Sequence, residues 1–444
     1  MTEFRLLAPA LDGAANRVRL RYQCPRFGAF EETVIYPACA PLAAIDAPVR
    51  EGLMALASVL VATSYYKAAP CAAVRMEFGL PAAGRALAAL AFGPGLGEFY
   101  IRNGLAYPPD IIIESEHAPD RPAPVSGPGR SAAAAFGGGK DSHVAAAILG
   151  EAGVRAERVS VILSDPVGAR LQAMSEAPVT LIRRVIDPRL IEINLSGEAL
   201  NGHVPITGIN SCLLALYAAA RGLDQVVFAN ERAASEPTME ANGHPVNHQF
   251  SKSLAFEDAL RAAFAAAGAG LDYYSILRPV SEVWTAHYLA TRAAFALPIF
   301  ASCNRNFVFA GEGALAPGRR WCGTCAKCVY TGVLLAPFLD PQRHETVFQS
   351  RPLHDRANAG HLRDIAGLTH AKPWECVGER REVAACLHHL IENKDWREAP
   401  LIAEIAGPLY QRWDRADLQA AWDSALSERG EHRMAPVVAK VMSA

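Results

Sequence analysis

Phe136-Gly137-Gly138-Gly139-Lys140-Asp141-Ser142 is a run whose residue types can cradle phosphate. Three successive glycines let the backbone approach an anion closely, and the first amides of a following helix then point at it. The run lacks the four-residue gap and the closing Gly-Lys-Ser/Thr of a Walker A loop. Its plainer reading is a glycine-rich turn in which Lys140, Asp141 and Ser142 only cap a helix. A second constellation is Cys322-Gly-Thr-Cys325-Ala-Lys-Cys328, with Cys303 nineteen residues upstream. Four thiolates at this spacing suit a closed tetrahedral zinc site. An iron–sulfur cluster, a redox dithiol and chance clustering are the competing readings.

These residues need a scaffold. Residues 131–136 form an apolar run and 142–150 an Ala-rich helical one, so the loop sits between strand and helix. Strand-like runs at 159–163, 179–185 and 225–229 and a helical run at 210–221 follow. Alternation of this kind predicts an α/β fold, a mostly parallel sheet with helices on both faces. Ligands of such sheets bind beyond the carboxyl ends of the strands. Ser164-Asp165 and Asn230-Glu231-Arg232 fall at such ends.

The segment 117–130 carries four prolines and two glycines and reads as a linker. It divides an N-terminal α+β domain (1–116), with strands at 18–23 and 32–36 and a helix at 49–66, from the core domain (131–339). Beyond it, 340–363 reads as polar loop, and 381–441 makes the C-terminal region (340–444) mostly helical. Net charge is −2, too little basic excess for a non-specific nucleic-acid footprint. The N-terminus lacks a signal-peptide order, and the apolar run 53–62 is about half of the ~20 residues that span a bilayer. Cys24, Cys39, Cys71, Cys212, Cys376 and Cys386 are isolated, as reduced, buried thiols of a cytoplasmic protein would be. The expectation is a cytoplasmic protein with no membrane and no nucleic-acid partner.

The glycine run resembles the SGGxDS signature of the PP-loop ATP pyrophosphatases, with Gly138, Gly139, Asp141 and Ser142 matching and Gly137 replacing the usual Ser. Ser302-Cys303 with Cys322-Gly323-Thr324-Cys325 is similar to the zinc-holding arrangement of the 7-cyano-7-deazaguanine synthases among them. Other strings resemble a different PP-loop family, the UDP-N-acetylmuramoyl-L-alanyl-L-glutamate epimerases. These are Ser64-Tyr65-Tyr66-Lys67, Gly93-Pro-Gly-Leu-Gly-Glu-Phe-Tyr100, Asn230-Glu-Arg232 and Val246-Asn-His-Gln-Phe-Ser-Lys-Ser253. The resemblance spans about 50–380.

That resemblance implies a PP-loop, HUP-like sheet and inversion of the terminal L-glutamate of the UDP-linked muramoyl dipeptide, with ATP cleaved to AMP and pyrophosphate. Adenylation would cancel the carboxylate charge that opposes loss of the α-proton. Gly137, Gly138, Gly139 and Ser142 would bind phosphates, Lys140 would neutralise them, and Asp141 would place Mg2+. Cys303, Cys322, Cys325 and Cys328 would hold structural Zn2+. The α-proton base must lie within hydrogen-bond reach of Cα, and Glu231, His248 and Lys252 are the candidates. Each has a plain alternative: an Arg232 or Mg2+ partner, a capping imidazole, and a phosphate contact or solvated helix residue. His203 and His244 read as solvated loop histidines. Two rivals use the same loop, a PP-loop synthase or tRNA-modifying enzyme inserting nitrogen or sulfur, and a zinc-stabilised nucleotide-binding module. The UDP-sugar is expected in the cleft between N-terminal domain and core, and the oligomeric state is left open.

Overall fold

The strand leading into the glycine loop, Ser131–Ala135, contains four alanines, a poor composition for an exposed strand. It holds because both faces are covered. Ala132 and Ala134 enter one hydrophobic core and Ala133 the other, as period-two alternation requires.

The computed structural model describes residues 3–124, 127–309, 311, 313–369 and 377–442. It opens with β1 (Glu3–Leu6), β2 (Ala10–Asp12), β3 (Arg17–Cys24) and β4 (Gly28–Ile35). Then come α1 (Ala47–Tyr66), β5 (Ala73–Met76), α2 (Ala82–Phe92), α3 (Gly97–Arg102) and β6 (Ile112–Glu114). The alanine strand is β7, followed by α4 (Lys140–Glu151), β8 (Arg155–Ile162), α5 (Asp165–Ala173) and β9 (Val179–Val185). Next are α6 (Pro188–Leu195), α7 (Ile206–Arg221), β10 (Gln225–Phe228) and a hairpin of β11 (Met239–Ala241) and β12 (His244–Val246). After α8 (Leu254–Ala266) and β13 (Asp272–Ser275) the described elements are helical: α9 (Glu282–Thr291), α10 (Ala326–Leu335), α11 (Pro341–Phe348) and α12 (Ala359–Ile365). The last four are α13 (Arg380–Glu392), α14 (Pro400–Arg412), α15 (Arg415–Ser427) and α16 (Pro436–Met442).

One mostly parallel sheet runs through the molecule in the order β13-β10-β7-β8-β9-β4-β3-β1-β5-β6, with β2 on β3. Helices cover both faces: α4 packs on α9 and α16, while α7 packs on α1. The strands of 1–116 and of the core therefore share one sheet, although sequence patterning assigns them to separate domains. The seam is antiparallel pairing of β4 with β9, Thr33 opposite Val185. Beneath it Arg184 donates two hydrogen bonds to Glu32, at 2.6 and 3.1 Å, and Tyr65 donates a third at 3.0 Å. Such a fully enclosed pair is tolerable because its polar atoms are satisfied.

The segment 340–363, read as loop, instead contains α11 and α12. Asp340 caps α11 by accepting from the amide of Arg343 at 2.8 Å, and His344, Val347 and Phe348 turn inward. The apolar run 53–62 is buried inside α1, and among the described residues no helix is long and apolar enough to cross a membrane. Cys24, Cys212 and Cys386 are buried thiols, Cys71 is half-buried, and Cys39 is exposed, contrary to expectation. Cys376 lies outside the described residues.

Candidate active site

β8 and β9 extend the sheet on one side of β7, and β10 and β13 on the other. The carboxyl ends of β7 and β10 thus mark a switch point, where a crevice opens. A cavity of about 550 Å³ lies there, bounded by Gly137, Gly139, Asp141, Ser142, Ser160 and Asn230 among others. Gly138 makes the turn beneath, at φ +71°, and a Cβ on it would sit 2.5 Å from Met174 Cε. The loop is braced from behind: Ala301 N donates to the Gly138 carbonyl at 3.0 Å, and Ser302 Oγ lies 3.5 Å from the Lys140 amide. Gly139 is the N-cap residue of α4, so that helix directs its positive end toward the cavity.

Lys140, expected to neutralise phosphate charge, is not among the residues lining this cavity. Its side chain is only 3% exposed, and its ammonium contacts the carboxylates of Asp141 and Glu282. Burial alone would discharge it, but Asp141, Glu282 and Glu231 outweigh burial and keep it charged. Glu282 and Glu231 separate electrostatically. Burial lifts Glu282, and Glu231 and Asp141 beside it add to the rise that Lys140 opposes. Glu231 is equally buried, yet Lys252, Lys140 and Lys327 overcome that burial and hold its carboxyl low. These lysines thus favour the ionised form of Glu231.

A residue that sequence reasoning passed over positions two of the candidates. Arg278, buried against Glu257 at 3.0 Å, donates to the backbone carbonyls of both Glu231 (3.0 Å) and Lys252. Lys252 lines the cavity, and its Nζ donates to Gln249 at 2.9 Å. Lys327 also lines it, from the first turn of α10 between Cys325 and Cys328. Asn247 works as a brace: its amide donates to Ala234 O at 2.8 Å, while its oxygen accepts from Gln249 N at 2.7 Å.

His248 sits apart from the glycine loop and does not line its cavity. Its Nδ1 lies 2.5 Å from Glu98 Oε2, and His203 shares that carboxylate at 3.7 Å. His203, expected as a solvated loop residue, is thus part of a cluster, its ring centroid 4.6 Å from that of His248. Burial, then the charges of His248, Lys252 and Lys67, lower its pKa to about 4 against the opposing pull of Glu98. His244 lies on the exposed hairpin, at a second cavity of about 950 Å³. That cavity runs between Tyr107, Pro108 and the hairpin, and among the described residues its lining includes no Asp, Glu, Lys or Arg.

The four cysteines converge. Sγ–Sγ separations are 4.0 Å (Cys303–Cys325), 3.6 Å (Cys322–Cys328) and 3.5 Å (Cys325–Cys328), and all four ligand atoms lie within 4.8 Å of one another. Metal–sulfur bonds of about 2.3 Å give a tetrahedron with edges of roughly 3.8 Å, so the donor set fits one zinc ion. A multi-iron cluster would need its cysteines spread around a wider body. Cys303 follows Ser302 directly, so the cluster anchors the segment that braces the glycine loop.

Fold and site together define an α/β protein with a glycine-rich loop lining a cavity at the switch point of its sheet. The chain belongs to the MurL family: residues 1–276 match the MurL N-terminal domain and residues 299–420 the MurL C-terminal domain. It is 35% identical over 442 residues to the UDP-N-acetyl-alpha-D-muramoyl-L-alanyl-L-glutamate epimerase of Xanthomonas oryzae pv. oryzae, covering 99% of this chain and 96% of that protein. The protein of the same name from a Micromonospora species is 34% identical over 400 residues, covering 88% and 86%. That of Salinispora tropica is 35% identical over 358 residues, covering 80% and 76%.

Proposed function

We propose that this chain is an ATP-dependent epimerase of a UDP-linked muramoyl dipeptide, inverting the terminal L-glutamate for peptidoglycan synthesis in the cytoplasm. The observation that carries the reading is the glycine loop with Asp141 at the sheet's switch point, in a chain whose relatives bear the epimerase name. In this reading the sheet is of the PP-loop, HUP-like type. Backbone amides of Gly137 and Gly139 and the hydroxyl of Ser142 hold the phosphates of ATP, and Lys252 and Lys327 supply positive charge. Lys140 holds Asp141 in place from below. Asp141 offers the carboxylate that suits Mg2+, which when bound screens phosphate charge. The Cys303, Cys322, Cys325 and Cys328 set takes Zn2+ in a folding role, since a four-thiolate site leaves no open position.

The chemistry requires activation first. A carboxylate beside Cα repels the carbanion that forms when the α-proton leaves. Attack of that carboxylate on the α-phosphorus of ATP expels pyrophosphate and leaves an acyl adenylate, whose acyl group carries no charge of its own and whose carbonyl accepts the new charge. Proton return on the other face inverts the centre, and water releases AMP. The uncharged lining of the larger cavity suits the sugar of the substrate more than its diphosphate.

The test is incubation with ATP, Mg2+ and UDP-N-acetylmuramoyl-L-alanyl-L-glutamate in heavy water. The expected result is substrate-dependent pyrophosphate and α-deuterated D-glutamate in the product. Pyrophosphate without deuterium would redirect the reading to a PP-loop synthase.

A further inference from the structure

The Glu98 cluster is built with more care than a surface ion pair. Glu98 comes from α3, in the Gly93-Pro-Gly-Leu-Gly-Glu98 string, and is 4% exposed. Gly97 lets α3 close on the hairpin, for a Cβ there would lie 3.3 Å from both Val246 and Tyr107. That approach carries Glu98 to His248, two residues beyond Val246. Arg102, one turn along α3, donates to the other oxygen of Glu98 at 3.2 Å. With the carboxylate ionised, Nδ1–H of His248 is the donor, and proton chemistry of the ring passes to Nε2. Glu98, His203 and His248 are close enough to hold a cation, but the charges of Lys252 and Lys67 on His203 and of Arg102 on Glu98 oppose one. Lys252 links the two halves of the site: it lines the glycine-loop cavity four residues beyond His248, whose neighbour Asn247 lines the larger cavity.

Resting on the epimerase reading above, we infer that His248 is the base for the glutamate α-proton and that Glu98 is its positioning residue. Nε2 takes the proton as the Cα–H bond breaks, and that electron pair moves into the Cα–acyl bond while the carbonyl oxygen takes up the charge. Glu98 stabilises the imidazolium that results. A solvent-exchanged proton from the Lys252 ammonium returns to Cα on the opposite face. Water then takes the proton from His248 and reprotonates Lys252, so charge and atoms balance. The lysines around Glu231 lower its basicity, which favours His248 over it.

The experiment uses the full chain with ATP, Mg2+ and the UDP-muramoyl dipeptide in heavy water, scoring α-deuterium incorporated per pyrophosphate released. Glu98→Gln and His248→Gln are each expected to lower that ratio about 100-fold, the scale of lost general-base catalysis. Glu98→Asp keeps the carboxylate and should recover part of it. In Glu98→Gln the acid limb of the exchange profile should move to lower pH, because loss of the anion makes imidazolium a stronger acid. Against His248 lie Glu98 and His203, with Arg102 on Glu98 and the charges of Lys67 and Lys252 acting on His203, and only Glu98 changes. An unchanged ratio in both Gln variants overturns the assignment while leaving the epimerase reading intact. So does parallel loss of both products, or a Mn2+ ion bound by the parent and released by Glu98→Gln. Absence of substrate-dependent pyrophosphate from the unaltered chain removes the reading and the assignment together.

Discussion

Glu382 accepts a hydrogen bond from Arg232 at 3.0 Å, tying the C-terminal helix α13 to the loop that follows β10. Its other oxygen accepts from the amide of Glu282 at 3.0 Å, at the start of α9. One carboxylate thus fixes both the loop bearing Glu231 and the helix whose first residue grips Lys140. Burial lifts its pKa, Glu379 adds to the rise, and Arg232 limits it, leaving a value of about 7. Glu382→Ala should lower unfolding stability by about 2 kcal/mol, the scale of a lost charge-assisted hydrogen bond, read as a urea midpoint shift at constant slope. Pyrophosphate release should fall further than stability alone explains. A variant with full activity would show that the C-terminal helices do not position the site.

Lys140 and Glu282 should behave as a unit. Lys140→Met leaves Glu282, Asp141 and Glu231 without their enclosed cation, at a cost of about 3–5 kcal/mol. Adding Glu282→Gln removes one stranded charge, so the double variant should be more stable than Lys140→Met alone. A double-mutant cycle in urea checks this; strict additivity would mean that the two side chains do not share the contact seen here.

How far this site could be read in advance follows from how local its parts are. The glycine loop and three of the four cysteines are contiguous strings, so their chemistry shows in the chain itself. Arg278 and Glu282 are single charges with no local pattern, and Glu98, though it lies in the Gly93–Tyr100 string, has no role there until the fold brings distant segments together. The β4–β9 seam is similar, because alternation shows each strand but not that Glu32 lies over Arg184. Lys140 was misread for the same reason: its partner Glu282 lies 142 positions along the chain. The helix α11 is a different case, since Asp340-Pro341 is a start signal visible in sequence but hidden by polar surroundings.

Glycines of the loop should differ in what they tolerate. A methyl on Gly138 meets Met174 at 2.5 Å in a left-handed conformation, whereas Gly137 has nothing within 4 Å of its Cβ position. Gly138→Ala should therefore cost about 1–3 kcal/mol and most of the pyrophosphate release. Gly137→Ser should fold like the parent and retain turnover. Thermal unfolding and product release together distinguish them; equal damage from both would contradict this loop geometry.

Metal removal gives a separate reading of the cysteine cluster. One zinc per chain is expected by elemental analysis, and a strong chelator should lower the unfolding temperature. Because Cys303 adjoins Ser302, Cys328→Ser should also weaken pyrophosphate release although no thiolate enters the reaction. Iron with visible absorbance in place of zinc would transfer the site to the iron–sulfur class.

His344 supplies a pH test of the fold itself. It is enclosed between Phe348 (4.5 Å between ring centroids) and Trp396 (5.0 Å), with Nε2 3.0 Å from the Gly332 carbonyl. Burial lowers its pKa from 6.5 to about 4, and the Gly332 carbonyl only partly opposes this. Above pH 6.5 both folded and unfolded chains carry a neutral ring, so its contribution is complete there. As the pH falls below 6.5 the unfolded chain takes up a proton that the folded one refuses. Stability is then lost at up to about 1.4 kcal/mol per pH unit until the folded ring titrates near 4. His344→Gln keeps a donor for Gly332 and cannot titrate. The stability of the parent relative to this variant should hold steady above pH 6.5 and drop between 6.5 and 4, measured by urea midpoints across that range. A difference that does not change with pH would mean that His344 ionises equally in both states.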